Sequence, residues 1–128
     1  MARILVIDDH DLVRQSLKSV VERGGHEVVV AAEGRDGLKS FQAGNFDLVI
    51  TDVLMPEVDG LEVVQGVRRL SSTVPIIVMS GGHTTRYSAG RAVGPDYLKM
   101  ARAFGATKVL NKPFSHRQLL SLIVECLA

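Results

Sequence analysis

Five short apolar runs rich in β-branched residues alternate along the chain with five stretches of helical periodicity. The apolar runs are typical of β-strands, and they cover residues 4–7, 28–31, 48–50, 76–79 and 109–110. The helical stretches cover residues 12–23, 35–42, 61–70, 96–104 and 115–127. This alternation predicts an α/β domain whose parallel strands are joined by right-handed crossovers. The first, third and fourth runs are apolar throughout, which is typical of strands that are covered on both faces.

Length and charge narrow the class of protein further. The chain has 128 residues, which suits a single domain, residues 1–128. A core of this size needs no disulfide or structural metal to be stable. Its 15 basic and 14 acidic side chains give a formal charge of +1. This balance does not indicate the strong positive surface potential that is typical of nucleic-acid-binding proteins. No run approaches the roughly 18 apolar residues of a membrane span, and the lone Cys126 excludes an internal disulfide. We therefore expect a soluble cytoplasmic domain that binds neither nucleic acid nor membrane.

Several residues mark helix ends. Gly24 follows the first helical stretch as a candidate C-terminal stop, and Ser115 is the predicted N-cap of the last helix. Asp11 is interpreted as an N-cap or first-turn acid and His10 as an exposed neighbour of it, rather than as ligands. The chain's histidines lack the spacing of a zinc site; they are His10, His26, His83 and His116.

Polar residues follow the carboxyl ends of four predicted strands. Asp8 and Asp9 follow the first strand, Asp52 the third, Ser80 the fourth and Lys112 the fifth. Taken singly, an aspartate that ends a strand is most often a turn former or a helix cap. In open parallel sheets, however, ligands bind beyond the carboxyl ends, near the point where strand order reverses. We therefore expect all five side chains on one rim of the sheet.

Three carboxylates on one rim need a compensating charge. Two like charges about 4 Å apart repel by roughly 4 kcal/mol at the effective dielectric of a protein surface. Hard oxygen ligands of this kind suit Mg²⁺, and the ammonium of Lys112 and the hydroxyl of Ser80 suit an anion beside it. The small pair Gly81 and Gly82 would expose backbone N–H groups to that anion. The pattern predicts a phosphoryl group as the ligand.

Four segments in this order carry a family resemblance. They are the pair Asp8-Asp9, "DVLMPEVDG" at 52–60, "PIIVMSG" at 75–81 and "NKPF" at 111–114. With them the chain resembles, over essentially its whole length, the receiver domains of two-component response regulators of the chemotaxis-regulator type. The resemblance implies a flavodoxin-like α/β fold: a five-stranded parallel sheet of order 2-1-3-4-5 with five helices on both faces. In this family the peptide bond between Lys112 and Pro113 is commonly cis.

The resemblance also implies a role for each acid. Asp52 corresponds to the phosphoacceptor, whose carboxylate attacks the phosphoryl group of a phosphohistidine on a partner and becomes an acyl phosphate. Asp9 and Asp52 would bind Mg²⁺ directly and Asp8 through a water molecule. The backbone carbonyl of Leu54 would complete the protein ligands.

Further implications concern switching and partners. Lys112 would spread the charge of the phosphoryl-transfer transition state, and the hydroxyl of Ser80 would respond to the phosphoryl group. The donor would be a sensor histidine kinase or a phosphotransfer protein. An unknown output partner would bind the face made by the fourth helix, fifth strand and fifth helix. The domain would not be an enzyme in the usual sense, since it would catalyse only its own phosphorylation and dephosphorylation.

The chain departs from the family pattern in two places. Val109 stands where the family usually has an aromatic residue three positions before the lysine, and the segment between Ser80 and Lys112 runs longer than in most receivers. We hypothesise that residues 82–96 carry the conformational response instead, with Arg86 and Arg91 assisting closure over Ser80. The alternative is a passive insertion. No output segment is expected after residue 128, so the sequence fits a stand-alone regulator or a receiver cut from a longer protein.

Other function classes share some of these features. A phosphohydrolase of the haloacid dehalogenase type also uses an aspartyl nucleophile and Mg²⁺, but its Asp-x-Asp motif is not supplied by Asp8, Asp9 and His10. A flavodoxin-like electron carrier needs a Ser/Thr/Gly phosphate loop after the first strand, where acids stand here. A degenerate receiver that acts only as a scaffold is disfavoured because every chemical position is filled.

Overall fold

Strands and helices alternate along the whole described part of the chain. A computed structural model describes residues 2–53, 59–80 and 95–128, with the backbone alone at 95–98. The elements are β1 (Arg3–Ile7), α1 (Asp11–Arg23), β2 (Glu27–Ala31), α2 (Gly34–Ala43), β3 (Leu48–Asp52), α3 (Gly60–Leu70), β4 (Ile76–Ser80), α4 (Pro95–Ala103), β5 (Lys108–Asn111) and α5 (His116–Leu127). Each predicted strand and helix is present, with its ends shifted by at most two residues.

The strands form one sheet of order β2-β1-β3-β4-β5, and every neighbouring pair is parallel. This confirms the α/β fold and the strand order that the family resemblance implies. The order reverses between β1 and β3, where Ile7 pairs with Thr51. The residues that follow this pair, Asp8 and Asp52, therefore lie side by side at the carboxyl ends of these strands.

Both faces of the sheet are covered, as the apolar strands predicted. Leu5 and Ile7 of β1 point into one core cluster, and Ile4 and Val6 point into the other. This is the period of two that a pleated strand imposes. Side chains of α2, α3 and α4 complete the first cluster, and side chains of α1 and α5 complete the second. Because both cores hold the same central strands, the carboxyl ends of β1 and β3 are fixed from two sides.

The predicted helix ends at Gly24 and Ser115 are confirmed. Gly24 is the C-cap of α1, and Gly25, which follows it, takes the positive φ of 90°. The Ser115 hydroxyl accepts a hydrogen bond from the amide of Gln118 at 3.0 Å, and the Gln118 side chain accepts one from the amide of Ser115 at 2.7 Å. This reciprocal pair is a capping box. Of the two readings of Asp11, the first-turn acid is the one found, since exposed His10 is the N-cap.

Helix α4 begins at Pro95, one residue before the expected start. Ala101 is buried and Phe104 packs against the first core cluster, as the expected inner face requires, while the side chain of Tyr97 is outside the described residues. Several other expectations also lie outside them. They concern the Leu54 carbonyl, Gly81, Gly82, Arg86, Arg91 and the response of the segment that ends at α4.

The C-terminal part of the fold contains a cis peptide bond and the chain's single cysteine. The peptide bond between Lys112 and Pro113 is cis. Cys126 is half-buried against the second core cluster, and burial raises the pKa of its thiol. Within residues 2–53, 59–80 and 95–128, no helix has the length and apolar character that crossing a bilayer requires.

Helix α3 begins in direct contact with the end of β3. Asp59 caps it by accepting a hydrogen bond from the amide of Glu62 at 3.1 Å, and the amide of Gly60 donates to the carbonyl of Val53 at 2.9 Å. A Cβ atom on Gly60 would overlap the main-chain carbonyl oxygen of Asp52 and would lie 2.6 Å from the Cα of Val53. Only glycine therefore allows this approach of helix to strand.

We expect Gly60→Ala to destabilise the domain by about 1–3 kcal/mol, because the added methyl meets backbone that cannot move without disturbing β3. The measurement is the free energy of unfolding in urea. Gly66→Ala is the matched control within α3: the nearest atoms that its methyl would meet, at 2.6 Å, belong to the side chain of Leu38, which can rotate. The alanine also raises helix propensity by up to about 1 kcal/mol. Equal losses in the two variants would contradict the backbone contact.

Candidate functional site

The carboxyl ends of four strands meet at one rim. Asp52 and Ser80 are the last residues of β3 and β4, Asp8 directly follows β1, and Lys112 directly follows β5. The amide of Lys112 donates to the carbonyl of Ser80 at 2.8 Å, which joins the ends of β4 and β5. The structure thus brings all of these predicted site residues to the crevice where the strand order reverses, the usual ligand position in open α/β sheets.

The acids at this rim form a compact cluster. One carboxylate oxygen from each of Asp8, Asp9 and Asp52 lies within 4.8 Å of the others. Asp8 is fully buried, Asp52 is 8% exposed, and Asp9 is half-buried. Water can screen these charges only weakly, so their mutual repulsion is larger than on an open surface.

Within the part of the chain that the structure describes, Lys112 places its ammonium against this cluster. Its Nζ lies 3.6 Å from Asp8 Oδ2 and 3.6 Å from Asp52 Oδ2. These separations are longer than a charged N–H···O hydrogen bond, so the ammonium contacts both acids without being locked to either. A single lysine charge against three carboxylates leaves this group of side chains with an excess of negative charge.

Backbone amides orient the two buried carboxylates. Asp8 Oδ1 accepts a hydrogen bond from the amide of His10 at 2.9 Å, and Asp52 Oδ1 accepts one from the amide of Val53 at 2.8 Å. In both residues the other oxygen, Oδ2, faces Lys112. The two side chains are therefore held with one oxygen fixed and the other turned toward the centre of the site.

Burial changes the acidity of both carboxyls. Loss of hydration is the largest cause that raises the pKa of Asp52, and the charges of Asp8 and Asp9 add to it. Against the opposing effects of Lys112 and the Val53 amide, the net result is a pKa of about 6. Burial also raises the pKa of Asp8, with the His10 amide and Lys112 opposing it. Lys112 thus offsets only part of the cost of burying these acids.

A small divalent cation fits the arrangement. Buried Asp8 Oδ2 accepts no hydrogen bond within the described residues and has Lys112 as its ionic neighbour. Two ligands on opposite sides of Mg²⁺ lie about 4.2 Å apart, since each Mg–O bond is about 2.1 Å. The spread of 4.8 Å among the carboxylate oxygens is close to that value. The cluster needs only a small contraction, or one bridging water, to coordinate such an ion.

His10 and Arg14 lie near the rim, whereas His26 lies away from it. His10 is exposed, and its amide rather than its ring contacts the acids. His26 is remote from them, since its Nδ1 accepts a hydrogen bond from the amide of Ala2, and both residues lie at the amino ends of β1 and β2. Sequence reasoning missed Arg14, whose guanidinium donates to the main-chain carbonyl of Asp8 at 2.9 Å. Helical side chains lean toward the N-terminus, and that direction is the one signal that could have indicated this contact.

Comparison with known proteins agrees with this geometry. Residues 4–124 match the family described as response regulator receiver domain. The response regulator MprA of Mycolicibacterium vanbaalenii is 38% identical over 120 residues, which cover 93% of this chain and 47% of MprA. The chain spans about half the length of the curated relatives it matches.

Solved structures superpose on nearly the whole of this chain. Chemotaxis protein CheY4 of Vibrio cholerae superposes with a TM-score of 0.85 at 34% identity, over 99% of both chains. A CheY-like receiver domain protein from Methanospirillum hungatei superposes with a TM-score of 0.88 at 27% identity, over 99% of this chain and 94% of that one. Fold, acidic rim and sequence therefore lead to one conclusion: the chain belongs to the receiver domains of response regulators, the proteins of two-component signalling.

Proposed function

We propose that this domain accepts a phosphoryl group on Asp52 in a Mg²⁺-dependent reaction and then presents an altered surface to an output partner. The donor is a phosphohistidine on a sensor histidine kinase or a phosphotransfer protein. The observation that carries the proposal is the cluster of Asp8, Asp9 and Asp52, whose oxygens lie within 4.8 Å of one another beside Lys112. This combination offers a divalent-cation site, a nucleophile and an anion-binding ammonium in one crevice.

Asp52 has the geometry of a nucleophile. The Val53 amide holds its Oδ1, while its Oδ2 faces the centre of the site. On this proposal Oδ2 attacks the phosphorus, the P–N bond of the phosphohistidine breaks, and the histidine nitrogen leaves with the electron pair. The product is an acyl phosphate on Asp52, and the donor regains a neutral imidazole after taking up a proton.

Asp8, Asp9 and Asp52 would hold Mg²⁺, which when bound lowers the repulsion between the acids and the incoming phosphoryl oxygens. Lys112 stays within reach of the same oxygens, since it is not locked to either acid. A compact, mobile ammonium of this kind suits an anion whose charge shifts during transfer. The domain then catalyses only its own phosphorylation and dephosphorylation.

The response would pass from Ser80 to α5 through the end of β5. Ser80 is 7% exposed at the end of β4, and its carbonyl accepts the amide of Lys112. A shift of Ser80 toward a phosphoryl oxygen would therefore move the start of the connection that leads to the Ser115 capping box. Val109 in β5 is half-buried and offers no aromatic ring to this movement. We propose the face of α4, β5 and α5 as the surface that the output partner binds.

A donor protein must bring its phosphohistidine to Asp52, so it must lie against this rim. An apolar groove of about 400 Å³ adjoins Lys112 there. The groove runs between α1 and the start of α5, and its apolar lining is Leu12, Val13, Leu17, Val20, Pro113, Phe114 and Leu119. Leu12 is 79% exposed at its edge. We propose that apolar side chains of the phosphohistidine-bearing protein occupy this groove.

We expect the wild-type domain, incubated with Mg²⁺ and acetyl phosphate, to gain the mass of one phosphoryl group by mass spectrometry. Asp52→Asn should gain none, because the amide cannot form an acyl phosphate. Asp36→Asn is the control, since Asp36 is exposed in the first turn of α2 and is not a member of the acid cluster. Modification of Asp52→Asn at the wild-type rate would refute the assignment of the phosphoacceptor.

The raised pKa of Asp52 gives a pH dependence of stability. In metal-free protein, the folded state holds a proton on Asp52 up to about pH 6, whereas the ordinary pKa is 3.8. Stability from this group is therefore greatest at low pH and falls as pH rises from about 4 to about 6. The difference between these pKa values corresponds to at most about 3 kcal/mol.

The measurement is urea unfolding in EDTA at pH 4.5 and pH 7, in wild type and in Asp52→Asn. Relative to wild type, the variant should be more stable at pH 7 by more than it is at pH 4.5, because asparagine removes the ionisation. Excess Mg²⁺ at pH 7 should shrink the difference. Should the two proteins differ equally at both pH values, the carboxyl would not be perturbed in this way.

We expect Leu12→Arg to slow phosphotransfer from a histidine kinase that phosphorylates the wild type, by about tenfold if Leu12 is an interface anchor. Phosphorylation by acetyl phosphate should keep its wild-type rate, since the acids and Lys112 are untouched. Leu70→Arg is the matched control, because Leu70 is 52% exposed at the far end of α3. If Leu12→Arg slows both phosphodonors equally, the groove does not bind the donor protein.

A further inference from the structure

We propose that Arg14 is a positioning residue of the cation site: by holding the main-chain carbonyl of Asp8, it fixes the peptide group that carries Asp9. The inference rests on the proposed function, since it assigns a role in that same site. Arg14 reaches back from the first turn of α1 to the end of β1. Its guanidinium donates to the main-chain carbonyl of Asp8, so its effect on the acid cluster passes through the backbone.

The guanidinium is held at both of its ends. One terminal nitrogen donates to the Asp8 carbonyl at 2.9 Å, and the other forms an ion pair with Asp11. The Arg14 side chain is 16% exposed, whereas that of Asp11 is 77% exposed. The hydrogen bond to the carbonyl is therefore largely shielded from water, and Asp11 serves to keep the guanidinium pointed toward it.

The carbonyl that Arg14 holds belongs to the peptide group between Asp8 and Asp9. That group is planar, so fixing its oxygen also fixes the nitrogen and the Cα of Asp9. The preceding peptide is fixed as well, because the amide of Asp8 donates to Ala31 in β2 at 3.1 Å. The Asp8 side chain is held by the amide of His10 at 2.9 Å. Arg14 thus restrains the peptide group from which Asp9 leaves the strand.

The sign of the effect separates positioning from charge. Arg14 is a cation near the rim, and its charge repels a divalent ion, so a pure charge effect would make Mg²⁺ bind more tightly when Arg14 is neutralised. A positioning role has the opposite sign, because freeing the peptide lets Asp9 move away from the coordinating geometry. Loss of groups that orient metal ligands typically weakens affinity by about 10–100-fold.

The experiment is isothermal titration calorimetry of Mg²⁺ into metal-free wild type, Arg14→Gln, Arg14→Lys and Lys18→Gln. Arg14→Lys keeps the charge, but its single ammonium cannot replace the two guanidinium nitrogens that donate to the Asp8 carbonyl and to Asp11. Lys18→Gln is the matched control for loss of one positive charge, since Lys18 is exposed one turn further along α1. Urea unfolding of each metal-free protein shows whether the fold is intact.

We expect the Mg²⁺ dissociation constant to rise about tenfold in both Arg14 variants, while Lys18→Gln stays within about twofold of wild type, since exposed charges are well screened. Hydrogen exchange at the His10 amide, which bonds to Asp8, should also accelerate in both Arg14 variants. Binding to Arg14→Gln that is as tight as wild type, or tighter, overturns the positioning role. Should Arg14→Gln fail to fold, wild-type affinity in Arg14→Lys overturns it equally. If wild type itself binds no Mg²⁺, the proposed function fails first and the role of Arg14 fails with it.

Discussion

Repulsion between buried carboxylates is the constraint around which this structure is organised. Asp8 is fully buried, Asp52 nearly so, and Asp9 joins them within 4.8 Å. Lys112 is 3.6 Å from the first two and lowers the pKa of both, yet burial still raises those pKa values. A cluster of this kind costs stability in the absence of a cation. The same excess of negative charge is what gives it affinity for one.

The fold makes this concentration of charge possible because helices pack on both faces of the sheet and hold its strands in place. Central strands β1 and β3 are packed by α2, α3 and α4 on one face and by α1 and α5 on the other. Their carboxyl ends cannot separate to relieve the repulsion. Gly60 extends the restraint, since α3 starts against the backbone of Asp52 and Val53 with no room for a Cβ. The apolar cores therefore supply the stability that the acidic rim opposes.

Much of this arrangement could be predicted from the sequence, because it depends on patterns that are local. Apolar runs of β-branched residues located all five strands, and the Ser115 cap located the start of α5. Placing Asp8, Asp52, Ser80 and Lys112 on one rim required only that parallel strands end at the same edge. The strand order, by contrast, came from the family resemblance, since alternation alone does not say which strands are neighbours.

The features that the sequence could not predict depend on contacts and burial that arise only when the chain is folded. The contact between Arg14 and the Asp8 carbonyl joins residues whose spacing along the chain is common, and only the direction of the helix makes it possible. Likewise, His10 rather than Asp11 is the cap of α1, and Asp11 lies in the first turn, where it pairs with Arg14. The raised pKa of Asp52 depends on how completely two cores exclude water from it. Burial of this kind is a sum over many contacts, and no motif encodes it.

The contacts of the acid cluster also offer a route by which a change of charge on Asp52 could alter more distant parts of the domain. The two oxygens of Asp52 contact different parts of the fold: Oδ1 accepts from Val53, against which α3 begins, and Oδ2 faces Lys112, whose amide bonds to the end of β4. On the proposed function, a phosphoryl group on Oδ2 places new negative charge beside Lys112 and draws it away from the acids. Because the backbone of Lys112 joins β4 to the chain that enters α5, such a movement would reach that helix without any change in the cores. On the same proposal, the rigid cores that hold the acids together would confine the response to the rim and to the segments that leave it.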